Sequence, residues 1–145
     1  MSVTGRAGWT LRCDGGSRGN PGPGASAYVL IDPTGREVEA NGEYLGAVTN
    51  NVAEYRALIA GLEAAARRSA TPLLACMDSE LVVRQMTGEY RVKNEGLKPL
   101  HSAARRAAMA IAEVRYVSVR REENERADRL VNETLDRVLG SESPR

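Results

Sequence analysis

Hydrophobic and polar positions along the chain change period twice. Residues 8–14 (GWTLRCD) and 25–32 (ASAYVLID) are short β-like runs, and 36–45 (REVEANGEYL) is a third, more polar one. Pro33 and Gly35 dictate a turn between the last two. These three predict an antiparallel meander whose third strand lies at an edge. From Asn51 the period becomes helical, with Tyr55, Leu58, Ile59, Leu62 and Ala66 on one stripe and Thr49 or Asn50 as the cap. Residues 73–78 (LLACMD) begin with an unbroken apolar run, as a central parallel strand should. A short helix over 79–88, with Ser79 as its cap and Gly88 as its stop, is followed by a mostly helical 96–113 and an alternating strand over 114–119. In the last helix Ala127, Leu130, Val131, Thr134, Leu135 and Val138 form one stripe that ends at Gly140. The order βββαβααβα predicts a single α/β domain over 1–140, a five-stranded mixed sheet with helices packed on it. Residues 141–145 (SESPR) read as a disordered tail.

Four acids fall at the ends of these elements. Asp14 is expected to end the first strand, Glu54 to lie in the first turn of the first long helix, Asp78 to end the central strand, and Asp128 to lie in the first turn of the last helix. A right-handed crossover through the first helix allows the first and central strands to be parallel neighbours. Asp14 and Asp78 would then stand side by side at the strand ends, where open α/β sheets gather ligands. Carboxylates brought that close repel, and at least one stays protonated without a counterion. A divalent cation resolves the conflict, and an all-oxygen donor set suits Mg²⁺ or Mn²⁺ rather than zinc. Two such ions ~3.5–4 Å apart are a known device for phosphodiester hydrolysis. Taken singly, Glu54 and Asp128 are explained by helix-dipole and capping preferences, and Asp14 by a turn preference. Asp78 is harder to explain locally, because a charge behind an apolar strand needs a partner.

Composition narrows the partners. The formal net charge is only +1 and the pI about 7.8, so a polyanion must be met by local basic groups or by metal ions. Phe is absent and there is one Trp, which leaves no aromatic platform for stacking bases. The N-terminal residues have no apolar run behind a basic start, and no stretch approaches the ~20 apolar residues of a membrane span. Cys13 and Cys76 have no metal-ligand spacing, and the reading is a reduced, cytoplasmic protein, a monomer with no membrane partner.

Four stretches then carry a resemblance. DGGSRGNPGPG (14–24), TNNVAEYRALIAGLE (49–63), DSELVVRQM (78–86) and REENERADRLVNETL (121–135) resemble, in order, the four motif blocks of ribonuclease HI. The likeness covers nearly the whole chain, and the predicted element order is the one that a ribonuclease H-like fold requires. It implies a metal-dependent endonuclease that cuts the RNA strand of RNA–DNA hybrids to 5′-phosphate and 3′-hydroxyl ends. Asp14, Glu54, Asp78 and Asp128 match the family's catalytic and metal-binding acids, with two Mg²⁺ ions as cofactor and Mn²⁺ as a substitute. Asn20, Thr49, Asn50 and Asn51 match positions that grip the hybrid, and Gly15 and Gly16 would leave no side chain between Asp14 and the scissile phosphate. Such polar contacts suit 2′-hydroxyls and phosphates in a minor groove, without reading sequence.

The chain also departs from the common pattern. Many bacterial members carry a His in the loop before the last helix, but VSVRREEN (117–124) has none. His101, the one histidine, reads as an ordinary helix residue. Arg121, and less so Arg120, is the candidate auxiliary group there, holding a phosphate or helping product leave rather than acting as a base, because an Arg stays protonated. The competing role is pairing with Glu122, Glu123 and Glu125. Asn124 is placed to cap the last helix and orient Asp128. Glu80 stands where Gln is common, so no substrate contact is assigned to it. The basic protrusion of many members is reduced to Arg91, Lys93 and Lys98, which implies weak, salt-sensitive hybrid binding. No separate hybrid-binding domain is expected, because the N-terminal stretch before the first strand is short. Strand alternation puts Cys13 on the face opposite Asp14, and Cys76 on the face of Asp78, so no Cys13–Cys76 disulfide is expected. Double-stranded RNA is a further substrate that His-less relatives raise. A catalytically silent duplex-binding module is the alternative from another class, and the intact acid quartet argues against it.

Overall fold

A computed structural model describes residues 8–140, so the expected tail at 141–145 lies outside the described residues. Strands β1 (Trp9–Ser17), β2 (Gly22–Ile31) and β3 (Glu37–Val48) form the antiparallel meander, with β3 at the edge. Helix α1 (Asn50–Arg67) crosses over to β4 (Leu73–Met77), which pairs parallel to β1. Then come α2 (Glu80–Met86), α3 (Lys98–Met109), β5 (Val114–Ser118) and α4 (Glu125–Leu139). The sheet order is β3-β2-β1-β4-β5, a five-stranded mixed sheet in the predicted element order.

The helices cover the sheet unequally. α1 packs over β1 and β2 with α3 beside it, and the main core of Leu11, Leu30, Tyr55, Leu58, Leu62 and Met77 lies in that layer. On the other face α4 seals Ala25 and Ala27 under Val131 and Leu135. It packs mainly on β1 to β3, and Leu74 of β4 and Val117 of β5 stay exposed at 37% and 36%. Register settles the cysteines: Cys13 lies beside Met77 and Cys76 beside Arg12, on opposite faces, and both thiols are free and buried.

Several expected boundaries move. β1 does not stop at Asp14. It continues through Gly15 and Gly16 to Ser17, paired with β2 as far as Ser17↔Gly24. What stops at Asp14 is the parallel ladder, whose last pair is Cys13↔Met77. α1 starts at Asn50 with Thr49 as its cap (Oγ1 accepts from Val52 N at 3.3 Å), which places Glu54 just past the first turn. α3 ends at Met109 rather than 113, and Ile111 folds into the core beyond it. A short 3-10 turn over Arg121–Glu123, which no periodicity announces, precedes α4.

Candidate active site

The end of the parallel ladder makes the site. β4 ends at Met77 while β1 runs on, so a notch opens beside Asp14. Asp78 follows β4 directly into that notch. Glu54 reaches it from α1 on one face of the sheet, and Asp128 from α4 on the other. The four carboxylates line one polar cleft of about 350 Å³, together with Gly15, Gly16, Asn50, Asn51 and Arg121.

α1 can come close enough because two glycines let it. A Cβ on Gly15 would lie 2.3 Å from the carbonyl carbon and oxygen of Ala53 and 2.5 Å from the amide nitrogen of Glu54. Gly61, on the same helix, presses on Leu11 and Cys13 of β1, its Cβ position 2.8 Å and 3.0 Å from their side chains. Gly15 is therefore a packing glycine that sets the Asp14–Glu54 separation, a different reason from the open path to a phosphate expected from sequence. Gly16 has open space around it, with only Asn50 Oδ1 at 3.8 Å from its Cβ position.

The electrostatics are those of crowded acids. Burial pushes the Asp14 carboxyl up to about 8, with further upward pressure from the charges of Asp78, Asp128 and Glu54 and a hydrogen bond shared with Asp128. Burial likewise raises Glu54 to about 7, against a hydrogen bond from Ser79 and the Arg121 charge, both of which lower it, and with Asp78 raising it. A donor set made only of carboxylate oxygens, strained by its own charge, fits a hard divalent cation. Among the described residues no three such groups are drawn into a finished ligand cage, so the acids face one cleft rather than one point. Rotation of the carboxylates about an ion would have to complete the coordination.

The hairpin and the helix start form a linked wall. Asn50 N donates to Asn20 Oδ1 at 2.9 Å, and Asn50 Oδ1 accepts from Ser17 N at 2.9 Å. Asn50 and Asn51 line the cleft, whereas Asn20 and Thr49 stand outside its lining, at the helix start. Arg18, which sequence reasoning passed over, also lines the cleft, and its Nη2 lies 2.8 Å from Asp136 Oδ1 on α4. Asn132, another unanticipated lining residue, lies beside it.

Asn124 takes a role other than the one expected. It occupies the N-cap position of α4 but makes no side-chain cap bond. It is fully buried, and its Nδ2 donates to the Cys13 carbonyl at 2.9 Å, one residue before Asp14. Its Oδ1 is buried without a partner. Asn124 thus pins the loop to β1 instead of capping a helix. Asn124→Ala is expected to destabilise the fold by about 2 kcal/mol, through a lost buried hydrogen bond and a cavity. A thermal melt within 1 °C of wild type would contradict this.

Other expectations hold without change. Ser79 Oγ caps α2 by accepting from Val82 N at 3.2 Å. His101 is a half-buried helix residue whose Nε2 lies 3.2 Å from the Gln85 carbonyl, outside the cleft. Where a basic protrusion would stand, Arg91 and Lys93 are exposed or nearly so, and Lys98 Nζ is paired with Glu95 at 2.7 Å.

Acids converging where the parallel ladder of β1 and β4 ends, in a β3-β2-β1-β4-β5 sheet, define a protein of the ribonuclease H-like class. A family model described as "Reverse transcriptase-like" matches residues 12–134. Ribonuclease HI of Halobacterium salinarum is 43% identical over 123 residues, 85% of this chain and 62% of that protein. Its crystal structure superposes with a TM-score of 0.85, covering 88% of this chain and 97% of that one. "Bifunctional protein Rv2228c" of Mycobacterium tuberculosis is 43% identical over 132 residues, 90% of this chain. The chain spans only 36% of that relative's length. The N-terminal RNase H domain of the same protein superposes with a TM-score of 0.89 at 39% identity, covering 95% of this chain and all of that one. LC11-RNase H1, solved in complex with an RNA/DNA hybrid, is 40% identical with a TM-score of 0.86, over 90% of this chain and 99% of that one. The chain belongs to the ribonuclease HI family.

Proposed function

We propose that this chain is a metal-dependent endonuclease that hydrolyses the RNA strand of RNA–DNA hybrids, leaving 5′-phosphate and 3′-hydroxyl ends. The observation that carries this reading is the convergence of Asp14, Glu54, Asp78 and Asp128 from β1, α1, the end of β4 and α4 on one cleft. The hybrid seen with LC11-RNase H1 supports the substrate class. Held by these four acids, two Mg²⁺ ions, or Mn²⁺ in their place, would supply Lewis-acid charge at the attacking water and the leaving 3′-oxygen.

The chain's own groups do the remaining work. Asp14 and Asp78 fix the floor of the site, because the backbone at both is set by the last pair of the parallel ladder. Asn50 and Asn51 present the start of α1 to the duplex, where the positive end of the helix dipole favours phosphate. Asn20 and Thr49 extend the same surface toward sugar hydroxyls. Gly15 takes part by admitting α1 to the site. Arg121 lines the cleft with a permanent positive charge suited to the phosphate of the cut strand. Double-stranded RNA offers the same phosphates and 2′-hydroxyls and is the second duplex this cleft would accept.

No helix among the described residues is long and apolar enough to cross a membrane. We place the protein in the cytoplasm, acting as a monomer, a placement that suits its two free cysteines. Digestion of labelled RNA–DNA hybrid, double-stranded RNA and double-stranded DNA, side by side with Mg²⁺ and with Mn²⁺, tests the assignment. Hybrid cleavage lost in Asp78→Asn is the expected result. Retained binding with no cleavage by the wild-type chain would make it a duplex-binding module instead.

A further inference from the structure

Arg121 Nε lies 3.8 Å from Asp78 Oδ2. The two partners differ in freedom: the Arg121 side chain is 79% exposed and that of Asp78 only 13%. The carboxylate is thus held in the cleft and the guanidinium is the part that can leave.

The backbone beneath Arg121 is bolted down. Val119 N donates to the Met77 carbonyl at 2.8 Å, and Asn124 Nδ2 to the Cys13 carbonyl at 2.9 Å. Those acceptors immediately precede Asp78 and Asp14. Arg12 Nη1 donates to the Glu123 carbonyl at 2.9 Å, and Arg120 N to Glu123 Oε1 at 2.9 Å, closing the 3-10 turn. The Arg121 side chain, in contrast, is free to swing. The other arginine lining the cleft, Arg18, is engaged with Asp136.

Resting on the metal-site reading above, we propose that Arg121 is a built-in counterion of Asp78 that competes with the divalent cation, and so sets how much cation the protein requires. The guanidinium carries its positive charge permanently, so it competes directly with a cation for the same carboxylate. A divalent ion on Asp78 both takes over the carboxylate and repels the nearby guanidinium. A phosphate in the cleft is the better partner for an arginine, because it matches the guanidinium fork. Arrival of the nucleic acid would draw Arg121 off Asp78 and open that carboxylate to the ion. Substrate and cation would then bind cooperatively through one side chain.

The test is calorimetric titration of the full chain with MnCl₂, without nucleic acid. Arg121→Gln is expected to bind Mn²⁺ about fivefold more tightly than wild type, in line with the loss of one exposed ion pair. The gain should shrink as NaCl is raised. Arg121→Lys, which keeps the charge, should stay within about twofold of wild type. Arg18→Gln removes a cation from the same cleft but not from Asp78, and should change affinity less than Arg121→Gln. Equal affinity in Arg121→Gln and wild type overturns the proposal, as does an equal gain in Arg18→Gln. No Mn²⁺ uptake by either wild type or Arg121→Gln overturns it together with the metal site. Tight Mn²⁺ binding without hybrid cleavage would overturn the nuclease reading and leave the counterion role standing.

Discussion

Asp14→Asn is expected to lower hybrid cleavage at least about 10³-fold, since an amide is a poor ligand for the cation that, on the proposed function, would supply several kcal/mol to the reaction. The same substitution should make the metal-free protein more stable. Asp14 is buried among acids, and its carboxyl is pushed up from 3.8 to about 8. An acid whose folded value lies above its unfolded one binds its proton more tightly when folded. Its contribution is therefore most favourable below about pH 4 and is lost as pH rises toward 8. Glu54, raised to about 7, adds to the loss over the same direction. In buffer with a chelator, urea unfolding of wild type should show stability falling between pH 5 and pH 8. Asp14→Asn should be more stable than wild type by about 3 kcal/mol at pH 8, with the difference vanishing near pH 4. A variant less stable than wild type at pH 8 would mean that ionised Asp14 is favourably paired in the fold. Activity and stability thus move in opposite directions at one residue, as expected where a site is held together against its own charge.

Gly15→Ala should be the most damaging of the single-methyl additions around the site. Its new carbon would meet the backbone of Ala53 and Glu54 at 2.3 to 2.5 Å, and hydrogen-bonded backbone in the first turns of a packed helix gives way poorly. Relief would require α1 to move off β1, at a cost of about 3 kcal/mol, and would carry Glu54 away from Asp14. Gly16→Ala, one residue on, meets only a side-chain oxygen at 3.8 Å and should keep wild-type stability within about 0.5 kcal/mol. Equilibrium unfolding of the two variants side by side decides this. Equal melting behaviour would show that α1 and β1 are not clamped at Gly15.

These two neighbours show what was legible beforehand and what was not. Both glycines belong to a stretch whose text announces a site, but only the position of α1 distinguishes a packing glycine from an open one. The same holds for Asn124, which sits where a cap belongs yet bonds to Cys13, 111 residues away in sequence. Arg18 looks like a loop residue until α4 brings Asp136 to it from 118 positions off. Gly15, Gly16 and Ser17 read as a loop because glycine has little strand propensity, and become strand because β2 pairs with them.

By itself, the amino-acid sequence determined the element order, the cap Ser79 and the separate faces of the two cysteines; it allowed β1 and β4 as parallel neighbours, left the first cap between Thr49 and Asn50, and through its motif blocks pointed to the four acids. All of these follow from period, turn chemistry and short motifs, which act over a few residues. The tertiary structure alone decided that β1 runs past Asp14, that the parallel ladder ends there, that Gly15 spaces the helix, and that Arg121 faces Asp78. Each of these depends on contacts between distant segments, and no local window contains the partner that makes them.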